Sequence, residues 1–346
     1  MRNHLVRGSA VWLAAFLGVL AWSGAAEAGT ARTPGGSPAV SVESESGAAE
    51  IAAGFSFARY ATVSPPSGWS FVAGNFSGDS RSDVVGYHPS NGSVWVGTNT
   101  GSAFSFARYA TVSPPGGWSF VAGNFSGDYR ADIVGYHPSN GSVWVGTNTG
   151  SAFSFSQYAT VSPPGGWSFV AGDFAGDSRA DIVGYHPSNG SLWQGTNTGS
   201  AFSFSQYATV SPPGGWSFVA GNFSGDYRAD VAGYHPSNGS VWVGTNTGSA
   251  FSFARYATVS PPGGWSFVAG DFAGDSRSDI VGYHPSNGSL WEGTNTGSAF
   301  SFSQYATVSP PGGWSFVAGN YAGDYRADVV GYHPSNGSLW VGATVN

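Results

Sequence analysis

From residue 53 onward the chain is a succession of short apolar runs broken by clusters of Gly, Pro, Ser, Asn and Asp. Four such runs follow one another after residue 166: WSFVAGDF (167–174), ADIVGYH (180–186), SLWQGTN (191–197) and AFSFSQYATVS (201–211). They are rich in aromatic and β-branched residues and of strand length, so each predicts a β-strand. PSNG joins the second run to the third and carries the Asn-Gly dipeptide of a hairpin, and TG joins the third to the fourth. The fourth ends in PPGG, which cannot continue a hydrogen-bonded ladder, and leads into the next Trp.

This unit recurs. The Trp that opens WSFVAG stands at Trp69, Trp118, Trp167, Trp216, Trp265 and Trp314, and a second series at Trp95, Trp144, Trp193, Trp242, Trp291 and Trp340, both with a spacing of 49. Residues 53–346 are six times 49. Four antiparallel strands per repeat make one propeller blade, so the pattern predicts an all-β, six-bladed β-propeller. The ends are out of phase: the ordered part starts with a fourth strand (Phe55 to Ser64) and stops after a third (Ser338 to Val345). The N-terminal strand is therefore expected to complete the last blade and close the ring, pairing edges that would otherwise invite aggregation. A single-chain ring of this kind is expected to be a monomer.

Composition supports strands and turns: of 346 residues 54 are Gly, 16% are aromatic and only 9% are charged. Cysteine is absent, which removes disulfides, thiolate nucleophiles and Cys-based zinc sites; lysine is absent too, which removes Schiff-base chemistry and a P-loop. Residues 1–28 carry Arg2 and Arg7, an apolar run from Ala10 to Trp22 and the small-residue stretch Ala26-Glu27-Ala28, the pattern of a secretory signal peptide cut near Ala28. The run is shorter than the ~20 residues of a membrane span. The segment 29–52 has no apolar periodicity and reads as a disordered lead-in. The expected location is extracellular.

Charge is concentrated. Of the 15 carboxylates in 53–346, 14 lie in the six connections between first and second strands, and only Glu292 lies elsewhere. Calcium takes six to eight oxygens, and a loop offering them at alternate positions wraps it. With side chains at positions one, three, five and nine and the carbonyl of position seven, the candidate ligands are Asn75, Ser77, Asp79, Arg81 and Asp83 in the first loop and Asn124, Ser126, Asp128, Arg130 and Asp132 in the second. The third offers Asp173, Asp177, Arg179 and Asp181, and the fourth Asn222, Ser224, Asp226, Arg228 and Asp230. The fifth offers Asp271, Asp275, Arg277 and Asp279, and the sixth Asn320, Asp324, Arg326 and Asp328. Position three is Ala175, Ala273 and Ala322 in the third, fifth and sixth loops, so the Asn320 loop has the fewest ligands and is expected to bind most weakly. The competing reading pairs each loop Arg with its Asp neighbours in a metal-free loop.

The stretch GDFAGDSRADIVGY and its five siblings resemble the FG-GAP or VCBS repeat, the propeller repeat of integrin α subunits, some lectins and many secreted bacterial proteins. That resemblance implies Ca2+ between the first two strands of a blade. Its glycine at position six is Ser80, Ser178 and Ser276 in odd repeats and Tyr129, Tyr227 and Tyr325 in even ones.

The opposite rim gathers the HPSNG hairpins and the SPPGGW connections. Its candidates for binding a ligand are Tyr87, His88 and Asn91, Tyr136, His137 and Asn140, Tyr185, His186 and Asn189, Tyr234, His235 and Asn238, Tyr283, His284 and Asn287, and Tyr332, His333 and Asn336. Aromatic faces stack on sugar rings while Asn and His bond hydroxyls, and six copies give avidity. Each has a plainer reading: both Trp series pack between blades, and the His residues satisfy turns.

Six nearly equal blades supply no unique acid, base or nucleophile, so an enzyme is not expected. Glu292, with Val96, Val145, Gln194, Val243 and Val341 at the equivalent place, reads as a tolerant surface position. Nine Arg against 15 carboxylates leave a net charge of −6 in the repeats and no basic stripe for nucleic acid. The sequence therefore predicts a secreted, calcium-stabilised, multivalent carbohydrate-binding propeller; the alternative is a cell-adhesion propeller that binds an extracellular protein, its calcium loops purely structural.

Overall fold

A computed structural model describes residues 54–345. The signal-peptide and lead-in readings for 1–28 and 29–52 lie outside the described residues. The described residues form twenty-four strands, β1 to β24, in six four-stranded antiparallel sheets. In the first blade they are β2 (Ser70–Gly74), β3 (Asp83–His88), β4 (Ser93–Asn99) and β5 (Phe104–Thr111), paired in that order. The other blades repeat this at 49-residue offsets, the last with β22 (Ser315–Gly319), β23 (Asp328–His333) and β24 (Ser338–Thr344).

The ring closes as the out-of-phase ends require. Strand β1 (Phe55–Thr62) pairs antiparallel with β24 from Phe55↔Thr344 to Thr62↔Ser338, with a bulge between Arg59 and Ala61. Beyond the strand ends, Val63 N–H donates to Gly337 O and Val345 N–H to Gly54 O, both at 2.9 Å. Chain start and chain end thus form one sheet. The first strands are innermost, since β2 contacts both β6 (Ser119–Gly123) and β22 of the neighbouring blades.

Each blade is covered on both faces by its neighbours, which explains why all six residues of β3 are buried and why its sequence DVVGYH shows no simple alternation. The core is six inter-blade clusters rather than one centre. Between the last and first blades, Tyr332, Leu339 and Val341 meet Trp69, Phe71, Val84 and Phe104. Gly86 sits directly beneath Phe71 and Trp69, where a Cβ would fall 2.8 Å from the Phe71 ring; without a side chain there the two rings can lie over the strand. The first Trp series sits between blades as expected, Trp69 stacking on Phe71 at 6.1 Å with its indole N–H donating to Pro65 O at 2.8 Å. The expected run opens on this Trp, but the strand starts one residue later, at Ser70.

Candidate functional site

Each acidic loop is organised by its own side chains. In the third blade Asp173 Oδ1 accepts from the N–H groups of Gly176 (2.7 Å) and Asp177 (3.0 Å), and Oδ2 from Ser178 (2.8 Å). Asp177 Oδ1 accepts from Arg179 N–H at 3.0 Å. Asp181, fully buried, accepts from Ala175 N–H through Oδ2 and from Asn197 N–H through Oδ1, both at 2.7 Å. Asn75, Asn124, Asn222, Asp271 and Asn320 likewise accept from the glycine three residues on, at 2.7–2.8 Å. Asp79, Asp128, Asp226, Asp275 and Asp324 accept from the Arg two residues on.

The position-nine aspartates join loop to blade, and the asparagines they hold join blade to blade. Asn197 Nδ2 donates to Ala180 O (3.1 Å) and to Phe125 O of the preceding blade (2.8 Å), while its Oδ1 accepts from Gly199 N–H (2.8 Å). Asn99, Asn148, Asn246 and Asn295 make the same inter-blade bond to Tyr321, Phe76, Phe174 and Phe223. In the last blade the residue is Thr344, which donates to Ala327 O of its own blade at 2.6 Å. Burial raises the pKa of all six aspartates, Asp83, Asp132, Asp181, Asp230, Asp279 and Asp328, against the backbone donors that lower it; Asp181 reaches about 6.

The loop arginines lie across the seams. Arg130 runs over Gly78 of the preceding blade, where a Cβ would meet its Cγ and Nε at 3.3 Å, and its guanidinium rests against Gly150 of its own blade. Arg81 is placed likewise between Gly323 and Gly101. Arg179, Arg228, Arg277 and Arg326 stand over Gly127, Gly176, Gly225 and Gly274.

As arranged, these residues do not fit a calcium cage. Among the described residues no group of three or more His, Asp or Glu side chains is placed to hold a metal ion. The loop carboxylates are turned onto backbone N–H groups, and the position-nine carboxylate is buried, bonded to the position-three N–H and to the third-strand asparagine N–H. The spacing that suggests calcium is the spacing these Asx turns also need.

On the opposite rim Tyr87, Tyr136, Tyr185, Tyr234, Tyr283 and Tyr332 are buried at 2–4% exposure. Their hydroxyls donate to Pro115, Pro164, Pro213, Pro262, Pro311 and Pro66 carbonyls of the next connection. Burial raises the Tyr87 phenol to about 12. His88, His137, His186, His235, His284 and His333 are buried too: His88 Nε2 faces Ser67 O at 3.1 Å, its Nδ1 bonds the Ser90 hydroxyl at 2.8 Å, and its ring lies 5.0 Å from Trp69. Only Asn91, Asn140, Asn189, Asn238, Asn287 and Asn336 of the expected hairpin set are exposed, and each carbonyl oxygen accepts from the Ser two residues on. Tyr and His here are framework, because a propeller blade has no open face to display them.

Glu292 corrects a sequence reading. It is 1% exposed and Gln194 2%, both on third strands inside a blade, so they are not surface positions. Burial raises the Glu292 pKa, against a hydrogen bond from Tyr305. The second Trp series, Trp95, Trp144, Trp193, Trp242, Trp291 and Trp340, is half-buried, and Trp95, Trp242, Trp291 and Trp340 pack against the inter-blade clusters.

Among the described residues, the aromatic side chains that stand almost wholly in solvent are on the acidic rim. Tyr129, Tyr227 and Tyr325 are 90%, 97% and 91% exposed. The sequence signal for them was available: an aromatic residue in a polar loop, alternating with Ser from repeat to repeat.

No family model matches this chain, and no curated protein matches it. Solved structures do. A lectin from Agrocybe aegerita, described for specific recognition of non-reducing terminal N-acetylglucosamine, is 19% identical with a TM-score of 0.56, over 77% of this chain and 74% of that one. A mutant of AofleA from Arthrobotrys oligospora with three arginines replaced is 15% identical with a TM-score of 0.52, over 81% and 85%. The Photorhabdus luminescens Tc holotoxin pore is 14% identical with a TM-score of 0.53 over 84% of this chain and 15% of that one. At these identities the likeness is one of fold, and a lectin is among the structures that share it.

Proposed function

We propose that this chain is a secreted, non-catalytic, multivalent carbohydrate-binding propeller. The observation that carries the reading is the fold shared with a lectin that recognises terminal N-acetylglucosamine, built here from six nearly identical blades. Near-identity suits repeated weak sites acting together on a surface that repeats its own ligand, since linked sites gain avidity without new contacts. It suits catalysis poorly, which needs one asymmetric constellation. In this reading the acidic loops brace the seams and hold their shape through Asx turns and arginine straps, without calcium. The test is a glycan array probed with the full ring: retention of a defined subset of glycans is expected, and retention of none would overturn the reading.

A further inference from the structure

We infer that the acidic rim carries three glycan-stacking sites, centred on Tyr129, Tyr227 and Tyr325, which take uncharged pyranose units and exclude anionic ones. This rests on the carbohydrate-binding reading and locates its site on the rim opposite the hairpins. Three observations carry it. First, other tyrosines have structural work: Tyr87 and its kin bond the next connection, Tyr60, Tyr109, Tyr158, Tyr207 and Tyr256 reach the glycine carbonyl of the next blade's turn, Tyr305 bonds Glu292, and Tyr321 is fully buried. Tyr129, Tyr227 and Tyr325 instead leave 90% or more of their surface in water. Secondly, Tyr129 and Tyr325, though not Tyr227, hold φ of 74° and 73°, the left-handed region that costs stability for a bulky side chain. Burial returns nothing for that cost within the chain. Thirdly, these tyrosines occupy alternate blades, a third of a turn apart, while Ser80, Ser178 and Ser276 hold the same loop position in the blades between. The fold therefore does not require the aromatic ring.

The chemistry around each ring points to a sugar. An exposed phenol offers a flat, rigid π-face to the C–H face of a pyranose. Beside it Asp128, Asp226 or Asp324 is exposed, and a carboxylate accepts hydrogen bonds from hydroxyls. The loops hold 14 carboxylates against six arginines, so the rim repels sialylated or sulfated chains. Three stacking points a third of a turn apart suit a surface that presents many copies of one terminal sugar.

The test is surface plasmon resonance on matched neutral and anionic glycan surfaces and on a basic peptide surface. The analytes are the wild-type protein, Y129S/Y227S/Y325S, the three single Tyr→Ser variants and Y129F/Y227F/Y325F. Ser already occupies this turn at Ser178 and Ser276 with φ of 69° and 71°, so the triple variant is expected to melt with the wild type; if it does not fold, the single variants carry the test. The inference expects neutral-glycan binding by the wild type, a loss of about 100-fold or more in the triple Ser variant, a smaller loss in each single variant, and retention in the Phe variant. Unchanged binding by a folded Ser variant, whether triple or single, would overturn the inference and leave the carbohydrate reading standing. So would preference for the anionic surface, and capture of the basic peptide alone would assign the tyrosines to a protein partner. Wild-type failure on every glycan would remove both.

Discussion

Replacing Asn197 separates the account of the seams from a generic account of packing. Asn197 is buried at 3% exposure and makes three side-chain hydrogen bonds, to Ala180 O, to Phe125 O of the preceding blade and from Gly199 N–H. At about 1 kcal/mol net per bond, Asn197→Ala should cost ~3 kcal/mol, and more if the abandoned groups stay dry. The last blade supplies a natural intermediate: Thr344 keeps the bond within its own blade and lacks the one across the seam. Asn197→Thr should therefore retain one bond of three and cost ~2 kcal/mol. Urea unfolding followed by tryptophan fluorescence gives both values from midpoint and slope. A cost below about 0.5 kcal/mol for the Ala variant would refute the view that the aspartate–asparagine bracket ties blade to blade.

Other consequences follow from single groups. Tyr321 is fully buried and its hydroxyl has no partner, while the other five blades carry Phe76, Phe125, Phe174, Phe223 and Phe272; Tyr321→Phe should raise stability by ~1–3 kcal/mol, measured by the same urea midpoints, and a loss would contradict this. Chelation by EDTA should leave the melting temperature unchanged and added calcium should not raise it, whereas a native-state ligand must do so. The six buried aspartates are shifted upward, so between pH ~4 and the folded value the native chain holds protons that the unfolded chain has released. Stability should then fall as pH rises from 5.0 to 7.5, through the value of about 6 at Asp181. His88, whose pKa burial lowers, works the other way as one group against six. A melting temperature that climbs over the same interval would contradict the sign.

Strand number, blade number and ring closure were legible because each leaves a mark along the chain: two Trp series 49 residues apart, and ends that are out of phase by one strand. Side-chain direction was not. The period-two rule tells inside from outside only where one face of a sheet is wet, and here both faces of β3 are covered. Tyr87 and His88 look like rim residues in a hairpin sequence, yet the following connection folds over Tyr87 at Pro115 and the preceding one over His88 at Ser67. Glu292 reads as a surface residue because charge usually marks one, yet it is buried on a third strand inside a blade. The acidic loops show a real pattern with two physical causes, since Asx turns and calcium loops ask for oxygens at similar spacing. Only the direction of each carboxylate distinguishes them.

The most direct measurement of the central claim is binding of the wild-type protein to an immobilised glycoprotein with uncharged terminal sugars, competed by free monosaccharide in the presence of EDTA. The account predicts avid binding that a soluble neutral sugar releases, with EDTA having no effect. Absence of binding, or binding that no sugar displaces, would contradict it.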